Sequence, residues 1–300
     1  MSTAPATVPS TDAHPESPGL VRDVLSLFKP RLSLLVIITG GGGLVLADQA
    51  LPWGHSLAAV GGTAGVVAGA NALNNYLERD TDRWMARTKN RPLPAGRLDP
   101  RTALAIGAVL SLGSIAVLTA IRPLAALLAS LALLLYVLVY TPLKRRTAWN
   151  TLVGAIPGAM PPLIGWTAAT GSMDPGGLLL FAILFIWQLP HSYAIALYRR
   201  REYEQAGLVV LPSVVGDEAT RRHVLGYSVL LLLVSAGLLP VGVSGLLSEV
   251  VALGLGGGGL WMAWQGLANL EDTGWPRRMF LYTLAHMSGL FLVLVLDLWV

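Results

Sequence analysis

Long apolar runs separated by short polar stretches dominate the chain. Nine of them stand out, near residues 24–47, 54–82, 101–121, 124–141, 149–169, 175–198, 221–243, 249–269 and 277–298. Each approaches or exceeds the ~20 apolar residues with which a helix crosses a bilayer. The pattern predicts an all-α integral membrane protein with nine transmembrane helices. Asp99-Pro100 and Asp174-Pro175 each set an N-cap residue before a first-turn proline. The glycine clusters Gly40 to Gly43 and Gly256 to Gly259 should let helix backbones approach closely.

Composition agrees. Of 300 residues, 54% are apolar and 13% charged, roughly half the ~25% charge of a soluble domain, and the mean hydropathy is +0.61. A soluble core cannot hide that much apolar surface. The absence of cysteine excludes disulfides, thiolate catalysis, zinc–thiolate sites and iron–sulfur clusters. A pI near 9.6 does not require nucleic acid. On the nine-span reading every Lys and Arg except Arg122 falls on one side, in the tail and first helix entry or in alternate loops and the span ends beside them. That is the asymmetry of cytoplasmic positive charge, and it places the N-terminus in the cytoplasm and the C-terminus outside. Residues 1–21, rich in Pro, Ser, Thr and Ala, read as a disordered cytoplasmic tail. Residues 22–300 read as one membrane domain, in a bacterial cell membrane.

Two long cytoplasmic loops each follow a span with an unusually polar end. The first begins Asn71-x-x-Asn74-Asn75-Tyr76-Leu77-Glu78-Arg79-Asp80-Thr81-Asp82. At 100° per residue, Asn74, Glu78 and Asp82 share an arc of ~80°, with Asn71 inside it and Asp80 nearly opposite. Carboxylate and amide oxygens so spaced suit Mg²⁺, which keeps positions open for phosphate oxygens. The alternative is a solvated helix end paired to Arg79 and Arg83. Next comes Arg87-Thr-Lys89-Asn90-Arg91-Pro92-Leu93-Pro94-Ala-Gly96-Arg97, a turn-rich cluster of cations fit to clamp a diphosphate. The second station, Tyr198-Arg199-Arg200-Arg201-Glu202-Tyr203, can bind phosphate, but three arginines at a helix end by themselves favour anchoring to lipid headgroups.

These segments resemble the UbiA superfamily of intramembrane prenyltransferases. Asn74-Asn75-x-x-Glu78-x-x-x-Asp82 followed by Asn90-Arg91-Pro92-Leu93 looks like its first acidic motif. Three further segments resemble, more narrowly, the protohaem IX farnesyltransferases (haem O synthases): Gly158 to Trp166; Trp187-Gln-Leu-Pro-His191 running on to Tyr198-Arg-Arg; and Glu202-Tyr203-x-x-Ala206-Gly207-x-x-x-Leu211-Pro212. Asn75 and Glu78 stand where the superfamily usually has aspartates. Its second aspartate motif is absent, with Arg199 and Tyr203 near where those acids would lie.

The resemblance implies nine helices around a central cavity open to the cytoplasmic side. It implies transfer of a farnesyl group from farnesyl diphosphate to a vinyl group of haem B, with water addition, giving haem O for terminal oxidase assembly. On this reading Asn74, Glu78 and Asp82 hold Mg²⁺ and are the catalytic set. Arg79, Lys89, Arg91, Arg199, Arg200 and Tyr203 bind diphosphate, and His191, Trp187 and Tyr193 contact haem. Trp166 and Phe185 join Trp187 and Tyr193 in walls that shield an allylic cation. Haem A synthase and oxidase assembly proteins are the implied protein partners, the bilayer the implied surroundings. Rival readings are a quinone-precursor prenyltransferase, a transporter and a non-catalytic haem chaperone.

Overall fold

A computed structural model describes residues 19–49 and 51–299, apart from the side chains of Arg31, Leu32 and Trp299. The expected tail therefore lies outside the described residues up to position 18, while Leu20 and Val21 already belong to helix. Among the described residues every regular element is helical. In chain order they are α1 (Leu20–Leu27), α2 (Pro30–Leu46), α3 (Trp53–Asp82), α4 (Pro100–Ile121), α5 (Pro123–Leu143), α6 (Asn150–Thr170), α7 (Pro175–Tyr198), α8 (Arg200–Gln205), α9 (Leu211–Val215), α10 (Asp217–Ser235), α11 (Leu246–Ala268) and α12 (Trp275–Leu296).

Seven of these, α3 to α7, α11 and α12, are long and apolar enough to cross a membrane, which makes the chain a multi-pass membrane protein. Two expected spans look different. The run at 24–47 is broken: Lys29 adopts φ 48°, ψ 60° between α1 and α2, because Pro30 disfavours the right-handed helical conformation in the residue before it. The run at 221–243 stops as helix at Ser235, and its helix starts earlier, at Asp217, so that Asp217, Glu218, Arg221 and Arg222 occupy its first turns and shorten its apolar part.

Consecutive long helices pack side by side, and α2 returns to meet both α6 and α12. Backbones approach where glycine clears the way. A Cβ added to Gly43 would collide with the Pro162 carbonyl, and one on Gly165 with the Gly40 carbonyl. Gly256 fits against Leu232, and Gly258 against Tyr282, so both glycine clusters serve packing. Leu127, Leu134, Leu138, Val109 and Leu112 are exposed outward, as lipid-facing positions should be. Asp99 caps α4 by accepting from the Thr102 N–H at 3.3 Å. Asp174 precedes α7 but gives its carboxylate instead to the Ser172 hydroxyl and the Trp166 indole.

One end of the bundle is tied by polar contacts between loops. The Val209 N–H donates to the Lys144 carbonyl at 2.9 Å, and Asn150 Nδ2 donates to the Val209 carbonyl at 2.8 Å. Arg97 forks onto Asp23 of α1 with two 2.9 Å bonds. Asn75 Nδ2 holds the C-terminal end of α1 through the Leu27 carbonyl at 2.9 Å. The candidate site lies at this end.

Candidate active site

A cavity of about 390 Å³ opens between α3, α5, α6 and α7, roofed by residues 85–91, by Tyr203 of α8 and by residues 208–210. Its size falls at the low end of the ~300–1,000 Å³ of small-molecule sites. Its floor and rim come from the acidic face of α3. Glu78 and Asp82 line it, one helical turn apart. Asn74, a turn deeper, is fully buried.

Each member of that face meets one cation. Lys29 Nζ donates to Asn74 Oδ1 at 2.7 Å. Lys144 Nζ donates to Glu78 Oε1 at 2.7 Å. Arg91 donates to Asp82 Oδ2 at 2.7 Å and to Asn75 Oδ1 at 3.4 Å. Arg87 also lines the cavity. Asn74 Nδ2 in turn donates to Thr141 at 3.1 Å, and that hydroxyl donates to the Tyr136 carbonyl at 2.8 Å. The acidic face is thereby locked to α5.

The positive charge is crowded. Burial pushes the Lys29 ammonium down to about 7, with Arg91 and Lys144 adding repulsion. Such a site favours a polyanion that relieves the repulsion.

α5 supplies the aromatic wall. Residues Leu135–Tyr140 form a π-helical turn, a wider coil that shifts side-chain register and is frequent at functional sites. Tyr136 and Tyr140 both line the cavity, with ring centroids 5.4 Å apart, and Lys144 Nζ sits 4.5 Å over the Tyr140 ring. α6 leaves room for them: a Cβ at Gly154 would stand 2.5 Å from the Tyr140 ring, and one at Gly158 would strike Gln188. α7 contributes Gln188, His191 and Ser192. His191 Nδ1 lies 2.8 Å from the Thr283 hydroxyl.

Of the residues singled out in the sequence, Glu78, Asp82, Arg91, His191 and Tyr203 meet in this cavity, with Asn74 directly beneath. Apart from Arg87 of the cation cluster, the others do not line it. Arg79 turns back to the Tyr76 carbonyl and ring and to Asp80. Lys89 is exposed. Arg199 and Arg200 pair with Glu202 and Glu204 along a separate surface depression. Trp187 is buried behind His191, and Tyr193 packs against His223 and Tyr227. Phe185 packs in the apolar core, and Trp166 bonds to Asp174 at the opposite end of α7. The aromatic lining is Tyr136, Tyr140 and Tyr203 instead.

Lys29, Lys144, Tyr136, Tyr140 and Gln188 do not stand out in the sequence as site residues. One signal is present for the lysines. The chain has only three, at positions 29, 89 and 144, and two of them enter the cavity.

The donor chemistry fits a magnesium ion in part. Among the described residues no group of three or more His, Cys, Asp or Glu stands ready to cage a metal. Two carboxylates in one cavity are nevertheless what Mg²⁺ takes from protein when phosphate and water complete its shell.

Residues 34–285 match the UbiA prenyltransferase family. The protoheme IX farnesyltransferase of Anaeromyxobacter dehalogenans is 47% identical over 284 residues, covering 94% of this chain and 96% of that protein. That of Myxococcus xanthus is 47% identical over 292 residues, covering 95% and 98%. Among solved structures, a digeranylgeranylglyceryl phosphate synthase aligns with a TM-score of 0.80 at 15% identity, over 92% of this chain and 98% of that one. A UbiA homolog from Archaeoglobus fulgidus bound to GPP and Mg²⁺ aligns with a TM-score of 0.65 at 16% identity, over 91% and 99%. At such identities these structures speak for the fold alone.

Proposed function

The chain belongs to the UbiA prenyltransferase family, and from that premise we propose that it transfers a farnesyl group from farnesyl diphosphate to a vinyl group of haem B, giving haem O. One observation carries the reading: Glu78 and Asp82 face a cavity ringed by Lys29, Arg87, Arg91 and Lys144, the charge pattern of a metal-assisted diphosphate site. The full-length similarity to protoheme IX farnesyltransferases favours haem over a quinone precursor as acceptor.

The topology completes the picture. α2 and α10 cross the membrane beside the seven longer helices, making nine spans. The cavity end, with nearly all the Lys and Arg, faces the cytoplasm of a bacterium. Exposed Trp84 and Trp149 at that end, and Trp53 at the other, suit the two interfacial belts.

In this reading the diphosphate lies across Glu78 and Asp82. A magnesium ion held by those two carboxylates supplies charge neutralisation to the leaving group. Lys144, Lys29, Arg91 and Arg87 take the remaining phosphate charge, some of them by exchanging a carboxylate partner for a phosphate oxygen. Asn74 holds Lys29 in place, its carbonyl oxygen already committed. The allylic C–O bond breaks, and its electron pair leaves on the diphosphate. Tyr136 and Tyr140 turn π-faces to the allylic cation, and the apolar walls keep water away until the vinyl carbon has attacked. The new cation lies next to the porphyrin ring. Water adds there and releases a proton, leaving a hydroxyethylfarnesyl side chain. His191 faces the acceptor.

The test is direct. Purified protein incubated with haem B, farnesyl diphosphate and Mg²⁺ should yield haem O by mass, and none when the metal is chelated. Product from 4-hydroxybenzoate, and none from haem B, would defeat the reading. The Glu78→Gln, Asp82→Asn double variant should abolish product, whereas a haem chaperone would keep its function.

A further inference from the structure

We infer that Thr283 of α12 is a positioning residue: it fixes the tautomer and orientation of His191 so that the imidazole Nε2 is presented to the cavity as an axial ligand for the iron of the haem acceptor. The inference rests on the reading of haem as acceptor, and it follows from counting protons. Thr283 Oγ1 has one hydrogen and donates it to the Phe280 carbonyl at 2.7 Å. With that hydrogen on the carbonyl, the same oxygen, 2.8 Å from His191 Nδ1, accepts from the imidazole. Nδ1 therefore carries the hydrogen, and the neutral ring is left with its lone pair on Nε2.

Nε2 has no hydrogen-bond partner among the described residues, nor is it among the sealed polar atoms without a partner, in contrast to His286 Nε2. It belongs to a residue that lines the cavity. Orientation is fixed as tightly as protonation. The His191 ring stacks on Trp187 with centroids 4.8 Å apart and planes 20° from parallel, and Phe280 flanks it at 5.2 Å. Trp187 is itself held by Thr283, whose backbone carbonyl accepts from the indole Nε1 at 2.8 Å. One threonine thus anchors both rings, through its hydroxyl and through its carbonyl. An imidazole whose second nitrogen is hydrogen-bonded, and whose plane is fixed, is the arrangement found behind metal-ligating histidines. The porphyrin is then pinned through its iron on the α7 side of the cavity, opposite the acidic face of α3.

Spectroscopy on the full-length protein in detergent tests this apart from turnover. Wild type, His191→Ala, Thr283→Val and Thr283→Ser are titrated with ferric haem B and with metal-free protoporphyrin IX. Absorption and magnetic circular dichroism report the ligation of bound iron. Wild type should show a histidine-ligated spectrum. His191→Ala should lose it, regain it with added imidazole, and bind metal-free protoporphyrin as wild type does. Thr283→Val should bind haem ~10–100-fold more weakly with an altered spectrum, and Thr283→Ser should restore both. Metal-free protoporphyrin also reports whether Thr283→Val keeps its fold. The inference is overturned if His191→Ala retains the wild-type spectrum, or if Thr283→Val matches wild type in affinity and spectrum. A wild-type protein that ligates haem through His191 but makes no farnesylated product would overturn the functional reading and leave this one standing.

Discussion

Lys144 Nζ stands 2.7 Å from Glu78 Oε1, joining the end of α5 to the acidic face of α3 in a pair whose side chains are less than a fifth exposed. The contact sets two demands against each other. On the proposed function, Glu78 must be free to accept a metal ion, and Lys144 must be free to meet phosphate. Both are met when a metal–diphosphate complex arrives and each side chain exchanges its partner. Lys144→Met should therefore split two measurements. Apparent Mg²⁺ affinity, read from the metal dependence of the rate, should tighten because Glu78 has lost its competitor. Maximal rate should fall by about 10²–10³, the usual cost of removing one preorganised contact to developing charge. A parallel loss of both would mean that Lys144 only supports the fold.

Lys29 sits in the break between α1 and α2, and its ammonium is pushed down to about 7 by burial and by Arg91 and Lys144. A bound diphosphate adds negative charge and raises that value, so binding draws a proton onto Lys29. The sign follows: affinity for the diphosphate should fall as pH rises above about 7, since the free protein then carries neutral Lys29 and must take up a proton. Calorimetry in buffers of different ionisation enthalpy should detect this uptake at pH 8. Lys29→Met should remove the pH dependence and weaken binding at pH 6.5.

Asp23 and Arg97 fasten α1 across the loop that carries Arg87 and Arg91. The Arg97 guanidinium holds the Asp23 carboxyl below the usual carboxylate range. A group with a depressed folded value stabilises fully above its unfolded pKa of ~3.9 and loses that contribution as pH falls through the folded value. Asp23→Asn should accordingly melt below wild type at pH 7. The two melting curves should converge in acid, below about pH 4.

Whether a site residue is legible in the sequence depends on the geometry it obeys. Asn74, Glu78 and Asp82 lie four apart on an unbroken helix, so the 3.6-residue period alone puts them on one face. The same rule separates two haem candidates. Trp187 is four residues from His191 and stacks on it, whereas Tyr193 lies two residues away, ~200° around the helix, and faces α10. Lys29 and Lys144 are hidden because a cation at a helix end of a membrane protein already has an explanation in topology. Arg199 and Arg200 show the converse: three adjacent arginines look like a phosphate site, and the structure places these two, paired with Glu202 and Glu204, outside the cavity that holds Glu78 and Asp82. The π-helical turn that places Tyr136 and Tyr140 leaves no mark in a uniformly apolar run, because widening a helix by one residue changes register without changing composition.

Gly154 tests whether that aromatic wall matters. A Cβ there would stand 2.5 Å from two ring carbons of Tyr140, and the ring carries Lys144 over its face. Gly154→Ala therefore forces Tyr140 to move or α6 to retreat, at a typical overpacking cost of ~1–3 kcal/mol. The displaced ring takes Lys144 with it. Turnover should drop more than stability does, and diphosphate affinity should weaken. Gly113→Ala on α4 is the matched control: nothing lies within 4 Å of its added Cβ, and alanine favours helix over glycine by up to ~1 kcal/mol. It should melt at or above the wild-type temperature with unchanged kinetics. If Gly154→Ala behaves like Gly113→Ala in turnover and affinity, Tyr140 takes no part in the reaction, and the cation must be sheltered elsewhere in the cavity.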